Sequence, residues 1–223
     1  EPTHYDRPLA LIAELRMEFA DGHRETLCSD SGWQYRSSFT TLSDIYNGET
    51  QDYTTAPGDW KQPTLIPAPG RLCDRYSSPL HYMESIPVKE VIHTPAGETV
   101  LDFGQNFAGH VVCTQPIPKG TTMTLEFGEV LQNGNFYHEN YRHAESKFTY
   151  VSDGIHREIR PRFTFFGFRY VKISGLERVD AACFEGRAIY SEMDRTGFIR
   201  TGNEKINRLF SNSLWGLKSN FLD

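Results

Sequence analysis

The sequence predicts an all-β protein built from antiparallel β-sandwich modules of jelly-roll type, followed by one C-terminal helix. Short alternating apolar segments recur from residue 88 onward, and turn residues separate them. Aromatic residues, which favour strands, make up 13% of the chain. Only the final segment spaces its apolar side chains as a helix does.

The composition is that of a folded protein with a mildly acidic surface. Of the 223 residues, 38% are hydrophobic and 23% are charged, which suffices for a packed core in one large or two ordinary domains. The net charge is −6 and there is no basic run, so nucleic acid and anionic membranes are poor partners. No apolar stretch approaches the length of a membrane span. A neutral or cationic ligand fits this charge better.

The cysteines carry no metal or redox signature. Cys28, Cys73, Cys113 and Cys183 are too far apart in sequence for a zinc knuckle or a redox pair. Unpaired thiols in a reducing compartment such as the cytoplasm are the favoured interpretation, with a disulfide as the alternative.

Patterning divides the chain into three regions. Residues 11–19 alternate as a half-buried strand does, and residues 23–30 return as its partner after a tight turn. Residues 54–79 hold five of the 12 prolines and are predicted to link two β modules, with a buried crossover loop as the alternative. The predicted regions are a partial N-terminal β-sandwich with its linker (1–83), a second β-sandwich (84–195) and a terminal helical segment (196–223).

Seven strands are predicted in the second module. They are 88–93, 98–103, 109–115, 121–130, 146–152, 168–174 and 182–190. Phe165, Phe166 and Phe168 flank Gly167, so we expect a bend or bulge at this glycine, with at least two of the three rings buried.

Residues 101–111, LDFGQNFAGHV, interrupt an apolar alternation with glycines and amides. The glycines permit a bulge or a close backbone approach, the amides can satisfy backbone groups that a bulge leaves unpaired, and the phenylalanines can anchor the segment. We expect an interdomain scaffold rather than direct sugar contact. The candidate scaffold residues are Phe103, Gly104, Gln105, Asn106, Phe107 and Gly109.

The terminal segment is predicted to be an amphipathic helix with Thr201 or Asn203 as its N-cap. Its apolar stripe consists of Ile206, Leu209, Phe210, Leu214 and Leu217. Such a stripe needs a surface to pack on. Either the helix docks back on the sandwich, or it opens a helical domain.

Residues 43–53, SDIYNGETQDY, are the main candidate for ligand binding. Carboxylates and amides match sugar hydroxyls, and aromatic faces match the C–H surfaces of a sugar ring. An oxygen-rich loop can also hold calcium, and the third alternative is a loop whose side chains cap its own backbone. The candidate sugar-binding residues are Trp33, Asp44, Tyr46, Asn47, Glu49 and Tyr53.

Other chemistry is weakly supported. In HENYRH, the spacing from His138 to His143 is one residue too long for a zinc-binding helix, so no metal site is predicted there. The carboxylates at 126, 129, 139 and 145 are near each other in sequence, but solvated edge charges explain them better than a glycosidase pair does. We expect no cofactor, with calcium at residues 43–53 as the exception.

Three segments together resemble the β-sandwich that precedes the catalytic domain in bacterial α-L-rhamnosidases. They are LDFGQNFAGHV, GTTMTLEFGEVLQNGNFYHENYR and PRFTFFGFRYVKISGL. Upstream, LIAELRMEFADGHRETLCSDSGW and SDIYNGETQDY resemble the end of that family's N-terminal sandwich. Downstream, TGFIRTGNEKINRLFSNSLWGLKSNF resembles the first helix of its (α/α)6 barrel.

The resemblance implies a piece of a glycosidase that hydrolyses terminal α-L-rhamnosyl residues with inversion. The family's acid and base lie in the helical barrel, so no catalytic residue is expected in this chain, and the chain alone should be inactive. The implied partners are a rhamnosyl glycoside or L-rhamnose, and the missing helical catalytic domain. A free-standing carbohydrate-binding or adhesion module is the alternative.

Overall fold

The computed structural model describes residues 10–67 and 76–222. Strands dominate this part of the chain, which confirms the predicted all-β class with one C-terminal helix. The strands are β1 (Glu14–Glu18), β2 (Arg24–Cys28), β3 (Thr40–Asp44), β4 (Gly48–Asp52), β5 (Leu80–Pro87), β6 (Glu90–His93), β7 (Thr99–Cys113), β8 (Thr122–Gly128), β9 (Val130–Gln132), β10 (Asn135–Tyr137), β11 (Lys147–Val151), β12 (Phe166–Ser174) and β13 (Phe184–Ser191). The helices are α1 (Glu204–Asn220) and two 3-10 turns, Glu139–Tyr141 and Ala181–Cys183.

Contacts divide the chain into two compact units. Of the described residues, 10–37 and 57–67 belong to unit 1, whereas 38–56 and 76–222 belong to unit 2. Strand pairing places the segment 38–56 in the larger unit, although it precedes the proline-rich segment. The domain boundaries predicted at residues 83 and 195 stay predictions, since compactness alone does not define an evolutionary domain.

Unit 1 contains the predicted β-hairpin, in which β1 pairs antiparallel with β2. The side-chain oxygen of Asp21 accepts a hydrogen bond from the backbone N–H of His23 at 2.9 Å, which stabilises the turn. The hairpin is more exposed than predicted, because Leu15 keeps 54% and Leu27 51% of its surface open.

The described part of the proline-rich segment is exposed rather than buried. Between residues 54 and 67, most side chains are open to solvent, and the only strand pairing is one bridge between Lys61 and Tyr35. The alternative of a buried crossover loop is therefore wrong for these residues.

Unit 2 is organised around one curled nine-stranded sheet. Its order is β3-β4-β11-β8-β12-β7-β13-β5, and β6 also pairs with β7. All of these pairings are antiparallel except that of β4 with β11, which is parallel. The β3–β4 hairpin thus extends a sheet whose other strands come from residue 80 onward.

The two strands predicted at 98–103 and 109–115 are one long strand, β7. Its partner β12 shifts register in the middle, so that residues 103–106 of β7 lie opposite the single residue Arg169. Gly104 has φ +72°, a backbone conformation that side-chain-bearing residues rarely adopt. The amide-rich motif is therefore a bulge inside a continuous strand, which bends the strand without ending it.

Phenylalanines pack the core of unit 2 beneath this bulge. Phe166 stacks on Phe127 at 3.9 Å between ring centroids, and Phe168 meets Phe107 at 4.5 Å. Phe166 and Phe168 are 3% and 0% exposed, which confirms that two of the three predicted rings are buried. The bend predicted at Gly167 is wrong, because this residue pairs regularly with β7 and the register shift comes after Phe168.

Helix α1 begins at the predicted cap and docks by its C-terminal part. The side chain of Asn203 accepts a hydrogen bond from the N–H of Lys205 at 2.9 Å. Trp215 packs against the core of unit 2, and the Lys218 ammonium donates to the Glu84 carboxylate. The predicted stripe is only partly covered, since Ile206, Leu209 and Leu217 are 48%, 65% and 49% exposed.

Within the described ranges, no helix has the length and apolar character needed to cross a membrane. Cys28, Cys113 and Cys183 are free thiols, and Cys73 lies outside the described residues. Burial raises the pKa of the Cys113 thiol to about 12.

Candidate functional site

The predicted sugar-binding residues fall into both units. Trp33 belongs to unit 1 and is partly buried. The other five belong to unit 2 and lie in the β3–β4 hairpin or directly after it: Asp44, Tyr46, Asn47, Glu49 and Tyr53.

Asp44 stabilises the turn of this hairpin. Its Oδ1 accepts hydrogen bonds from the backbone N–H groups of Tyr46 at 2.8 Å and Asn47 at 2.7 Å. This is the self-capping arrangement that short polar side chains form in turns. One of the two carboxylate oxygens is therefore committed to the backbone.

Glu49 is turned into the protein and is 1% exposed. Its two oxygens accept hydrogen bonds from the backbone N–H of Arg162 at 3.0 and 3.1 Å and from that of Phe163 at 2.8 Å. The side-chain amide of Gln51 donates to the same carboxylate at 2.6 Å. Glu49 thus attaches β4 to the segment around residues 160–163.

The two tyrosines of the hairpin differ in accessibility. Tyr53 stacks on Phe39 at 4.2 Å, and the guanidinium of Arg157 lies 3.9 Å from its ring centroid, so both faces are occupied. Tyr46 is 69% exposed. Tyr46 is therefore the aromatic residue of the predicted set in unit 2 that a sugar could reach, and the sugar-binding role of the set stays a prediction.

The bulge in β7 is held from beneath by Asp102, which is 5% exposed. Its carboxylate accepts the backbone N–H of Gly104 at 2.6 Å and two guanidinium N–H groups of Arg169, both at 2.8 Å. Burial alone would raise the pKa of Asp102, but the bonds from Arg169 and Gly104 outweigh it and lower the pKa.

The amides of the bulge face its exposed edge. Gln105 donates to the backbone oxygen of Asn106 at 2.8 Å, as expected for a side chain that satisfies the bulge. Asn106 instead donates to Glu129 at 3.0 Å, and Asn140 donates to the other oxygen of that carboxylate at 3.1 Å. The motif is thus cross-linked to the 138–143 loop, while its interdomain role stays a prediction.

Gly109 shows the second feature that the motif permits, a close backbone approach. A Cβ at this position would lie 2.0 Å from the backbone oxygen of Arg187 on β13. Only glycine fits where the paired strands β7 and β13 approach each other this closely.

A cleft of about 440 Å³ in unit 2 was not predicted from the sequence. His110 forms part of its wall and is 4% exposed, and the ring of Tyr82 meets the imidazole edge-on at 5.2 Å between centroids. Burial lowers the pKa of His110 to about 4, and the charges of Arg160 and Arg187 act in the same direction. The only sequence signal was a histidine within an apolar strand, which more often marks a core residue than a site.

A further part of the cleft wall is the segment that Glu49 holds. Pro161, Arg162, Phe163, Thr164 and Phe165 all line the cleft. Glu49 is thus connected to a candidate site through two backbone N–H groups, and not through its own contact with a ligand.

Three of the carboxylates that are near each other in sequence, described in unit 2, are already bound to other side chains. Glu126 pairs with Lys172 at 2.7 Å and Glu145 with Lys147 at 2.6 Å, and the two amides described above bind Glu129. The described residues contain no group of three or more His, Cys, Asp or Glu side chains placed to hold a metal ion.

Two family profiles match the chain in succession. Residues 1–89 match the α-L-rhamnosidase N-terminal domain, and residues 92–190 match the bacterial α-L-rhamnosidase concanavalin-like domain. An α-L-rhamnosidase of Streptomyces avermitilis is 31% identical over an alignment of 236 residues, gaps included, which covers 99% of this chain and 23% of that protein. One from an Alteromonas species is 33% identical over 239 residues, covering 99% of this chain and 26% of the relative.

Solved structures agree in fold. The crystal structure of an α-L-rhamnosidase from Aspergillus terreus matches with a TM-score of 0.85 and 28% identity, over 95% of this chain and 26% of that one. The Streptomyces avermitilis enzyme, complexed with L-rhamnose, matches with a TM-score of 0.84 and 32% identity, over 95% and 22% of the two chains. The chain thus spans about a quarter of the length of these relatives. With both domain profiles matched in order, the chain belongs to the α-L-rhamnosidase family.

Proposed function

We propose that this chain is the non-catalytic β portion of an α-L-rhamnosidase that removes terminal α-L-rhamnosyl residues from glycosides with inversion. The observation that carries this proposal is the succession of the two domain profiles over a chain that spans about a quarter of its relatives. The chemistry then belongs to a helical catalytic domain, and the β portion holds that domain in position.

The charges of the described carboxylates support a non-catalytic role. An inverting glycosidase needs one carboxyl group kept protonated by a raised pKa, about 6.5–9.5 Å from a second, ionised one. Wherever the pKa of a described carboxyl group departs from its ordinary value, it is lowered, which is the wrong direction for a general acid. These groups are Asp52, Glu84, Asp102, Asp153 and Glu158.

The β7 bulge is the candidate interdomain scaffold. Buried Phe103 and Phe107 fix it to the core, while Asn106 is exposed and Gln105 partly so. A bulge that is fixed beneath and polar above is suited to a defined contact with a neighbouring domain.

Two experiments test the proposal. The coding sequence beyond residue 223 is expected to continue into a helical glycosidase domain, whereas an immediate stop codon would support the free-standing module. In a chimera, this chain replaces the matching quarter of the Streptomyces avermitilis relative. We expect the chimera to hydrolyse an aryl α-L-rhamnoside, and a folded but inactive chimera would count against equivalence.

The exposed ring of Tyr46 supports weak L-rhamnose binding at the β3–β4 hairpin as a second candidate function. Affinity should be on the order of millimolar, because a monosaccharide offers few atoms and its hydroxyls are well solvated. NMR titration with L-rhamnose, with and without a calcium chelator, should shift residues 44–53. Shifts confined to residues 103–109 would contradict this assignment.

A further inference from the structure

We propose that the edge of β11 is an acceptor site for a β-hairpin, and that residues 38–56, the donor hairpin, are an exchangeable occupant of this site. The donor hairpin lies within the residues that match the N-terminal domain profile, whereas β11 lies within those that match the concanavalin-like profile. Two family domains thus share one sheet. This proposal concerns strand exchange and does not depend on the hydrolysis assigned to the family.

The first support is the backbone pairing along β11. Strand β4 pairs with β11 in parallel along residues 49–52, while β8 pairs with the other side of β11. Before this ladder, the N–H of Ser146 donates to the backbone oxygen of Tyr46 at 3.1 Å. After it, the N–H of Tyr53 donates to that of Val151 at 3.1 Å. The donor hairpin therefore adds to a strand edge by main-chain hydrogen bonds, as in other cases of strand addition.

The second support is the pair of polar side chains that the donor hairpin buries. Glu49 accepts the backbone N–H groups of Arg162 and Phe163, and Gln51 donates to the backbone oxygen of Arg160 at 2.9 Å. Glu49 is 1% and Gln51 2% exposed. A shift of β4 by one residue would turn both side chains to the other face of the sheet. These contacts therefore specify which strand fits the edge and in which register.

The third support is a group of aromatic and guanidinium side chains. Phe39 and Tyr53 of the donor hairpin stack on each other at 4.2 Å between ring centroids. The guanidinium of Arg162 lies 5.3 Å from the Phe39 centroid, and that of Arg157 lies 3.9 Å from the Tyr53 centroid. Tyr53 also contacts Tyr150 of β11 at 5.4 Å. Each stacked ring of the donor hairpin thus meets a cation from the residues around the acceptor edge.

The connectivity of the chain makes the donor hairpin separable. Unit 1 contains the residues on both sides of it, whereas the hairpin itself belongs to unit 2. A two-stranded hairpin alone is at best marginally stable in water, so the acceptor edge is what stabilises this one. Its contacts come from one continuous segment, so an identical hairpin supplied as a separate peptide can replace all of them at once.

Gly48 is the position at which the donor hairpin can be excluded from the edge. Its φ is +91°, and a Cβ there would lie 1.8 Å from the backbone oxygen of Lys147. Gly22 in unit 1 has a similar φ of +84°, but nothing lies within 4 Å of a Cβ at that position. Gly48→Ala should therefore separate β4 from β11, whereas Gly22→Ala adds only the strain of a left-handed backbone.

A synthetic peptide of residues 38–56 provides the test. It carries a fluorophore and is titrated with the 223-residue Gly48→Ala chain, with fluorescence anisotropy as the readout. We expect a Kd on the order of 10 µM. The wild-type and Gly22→Ala chains should show no saturable binding, because their own hairpin occupies the edge at an effective concentration on the order of millimolar. The same peptide with Glu49→Lys should bind Gly48→Ala at least about tenfold more weakly, because the lysine cannot accept the two N–H groups.

Amide hydrogen exchange on the wild-type chain gives a second test, which holds even if Gly48→Ala does not fold. If the donor hairpin detaches as a unit, the amides of Tyr53, Arg162 and Phe163 lose their acceptors in one opening. We expect equal protection factors for these three amides, below that of the Phe127 amide, which bonds Ser146 within the remaining sheet. Unrelated protection factors would overturn the proposal. Equal peptide binding by wild type and Gly48→Ala, or no binding to a folded Gly48→Ala chain, would overturn it as well.

Discussion

Glu49 and Asp102 are the two acidic side chains that unit 2 buries among its described residues, and donors surround both. Glu49 binds the backbone of residues 162 and 163, and Asp102 binds Gly104 and Arg169. A buried carboxylate is tolerated only where donors replace its hydration. Both residues therefore hold loops and bulges in place and are not free for proton transfer.

Glu49→Gln should destabilise the chain by about 2–4 kcal/mol. An amide keeps the shape but replaces an accepting oxygen with an NH2 group that faces the N–H groups of Arg162 and Phe163. Urea unfolding would measure the change. Glu145→Gln, which removes an exposed ion pair with Lys147, is the matched control and should cost less than about 1 kcal/mol. Equal losses in the two variants would show that Glu49 is not a structural anchor.

His110 should make stability depend on pH between 6.5 and about 4. Its pKa in the folded protein is about 4, below the ordinary 6.5. Because the folded pKa is the lower one, its contribution to stability is complete above pH 6.5 and is lost as the pH falls toward 4. The loss should approach about 3 kcal/mol.

Urea midpoints over this pH range would test the His110 prediction. Between pH 6.5 and 4, the wild-type curve should fall more steeply than the His110→Gln curve. Asp102 and Glu158 also have lowered pKa values, so their contributions to stability begin to fall below about pH 5 in both proteins, and the difference between the two curves isolates the histidine. Parallel curves for both proteins would contradict the assignment.

At the scale of the element, three glycines of the bulge region have different roles, so the same substitution should have three different effects. Gly109→Ala places a Cβ 2.0 Å from a backbone oxygen and should cost about 3 kcal/mol or more. Gly104→Ala meets a positive φ and the flexible end of Lys89, and should cost about 1–2 kcal/mol.

Gly167→Ala is the control for these two glycines. A Cβ there meets nothing within 4 Å, so the substitution should be neutral or stabilise the strand by about 0.5–1 kcal/mol. Thermal unfolding of the three variants would rank their stabilities directly. If Gly167→Ala lost as much stability as Gly109→Ala, the result would instead support the bend predicted at Gly167 from the sequence.

The elements show which features sequence reasoning can reach. The β1–β2 hairpin and helix α1 follow from local patterns, a turn between alternating strands and a helical stripe with an Asn203 cap. The sequence predicts two strands in place of β7, because glycines and amides are common both in bulges and in turns. Its continuity depends on pairing with β12 and β13, which are distant in sequence.

The candidate sites were harder to predict for a related reason. In β4, the buried side chains are the polar residues Glu49 and Gln51, whereas strands usually bury apolar ones. A search for apolar residues at alternate positions therefore does not reveal their burial. The cleft combines His110 with residues 80–82 and 161–165, and only tertiary pairing brings these three segments together.

At the scale of the whole molecule, we expect the 223-residue chain to hydrolyse no α-L-rhamnoside. Hydrolysis with inversion needs a protonated acid and an ionised base across a cleft. Glu126 forms an ion pair, Asp44 caps a turn and Glu49 binds the backbone. The described carboxylates with shifted pKa values are shifted downward. An aryl α-L-rhamnoside assay on the purified chain should therefore show no turnover above buffer, while the chimera with the Streptomyces avermitilis relative serves as the positive control. Turnover that survives repurification and is lost in Glu126→Gln or Glu129→Gln would place catalysis in this chain and refute the assignment.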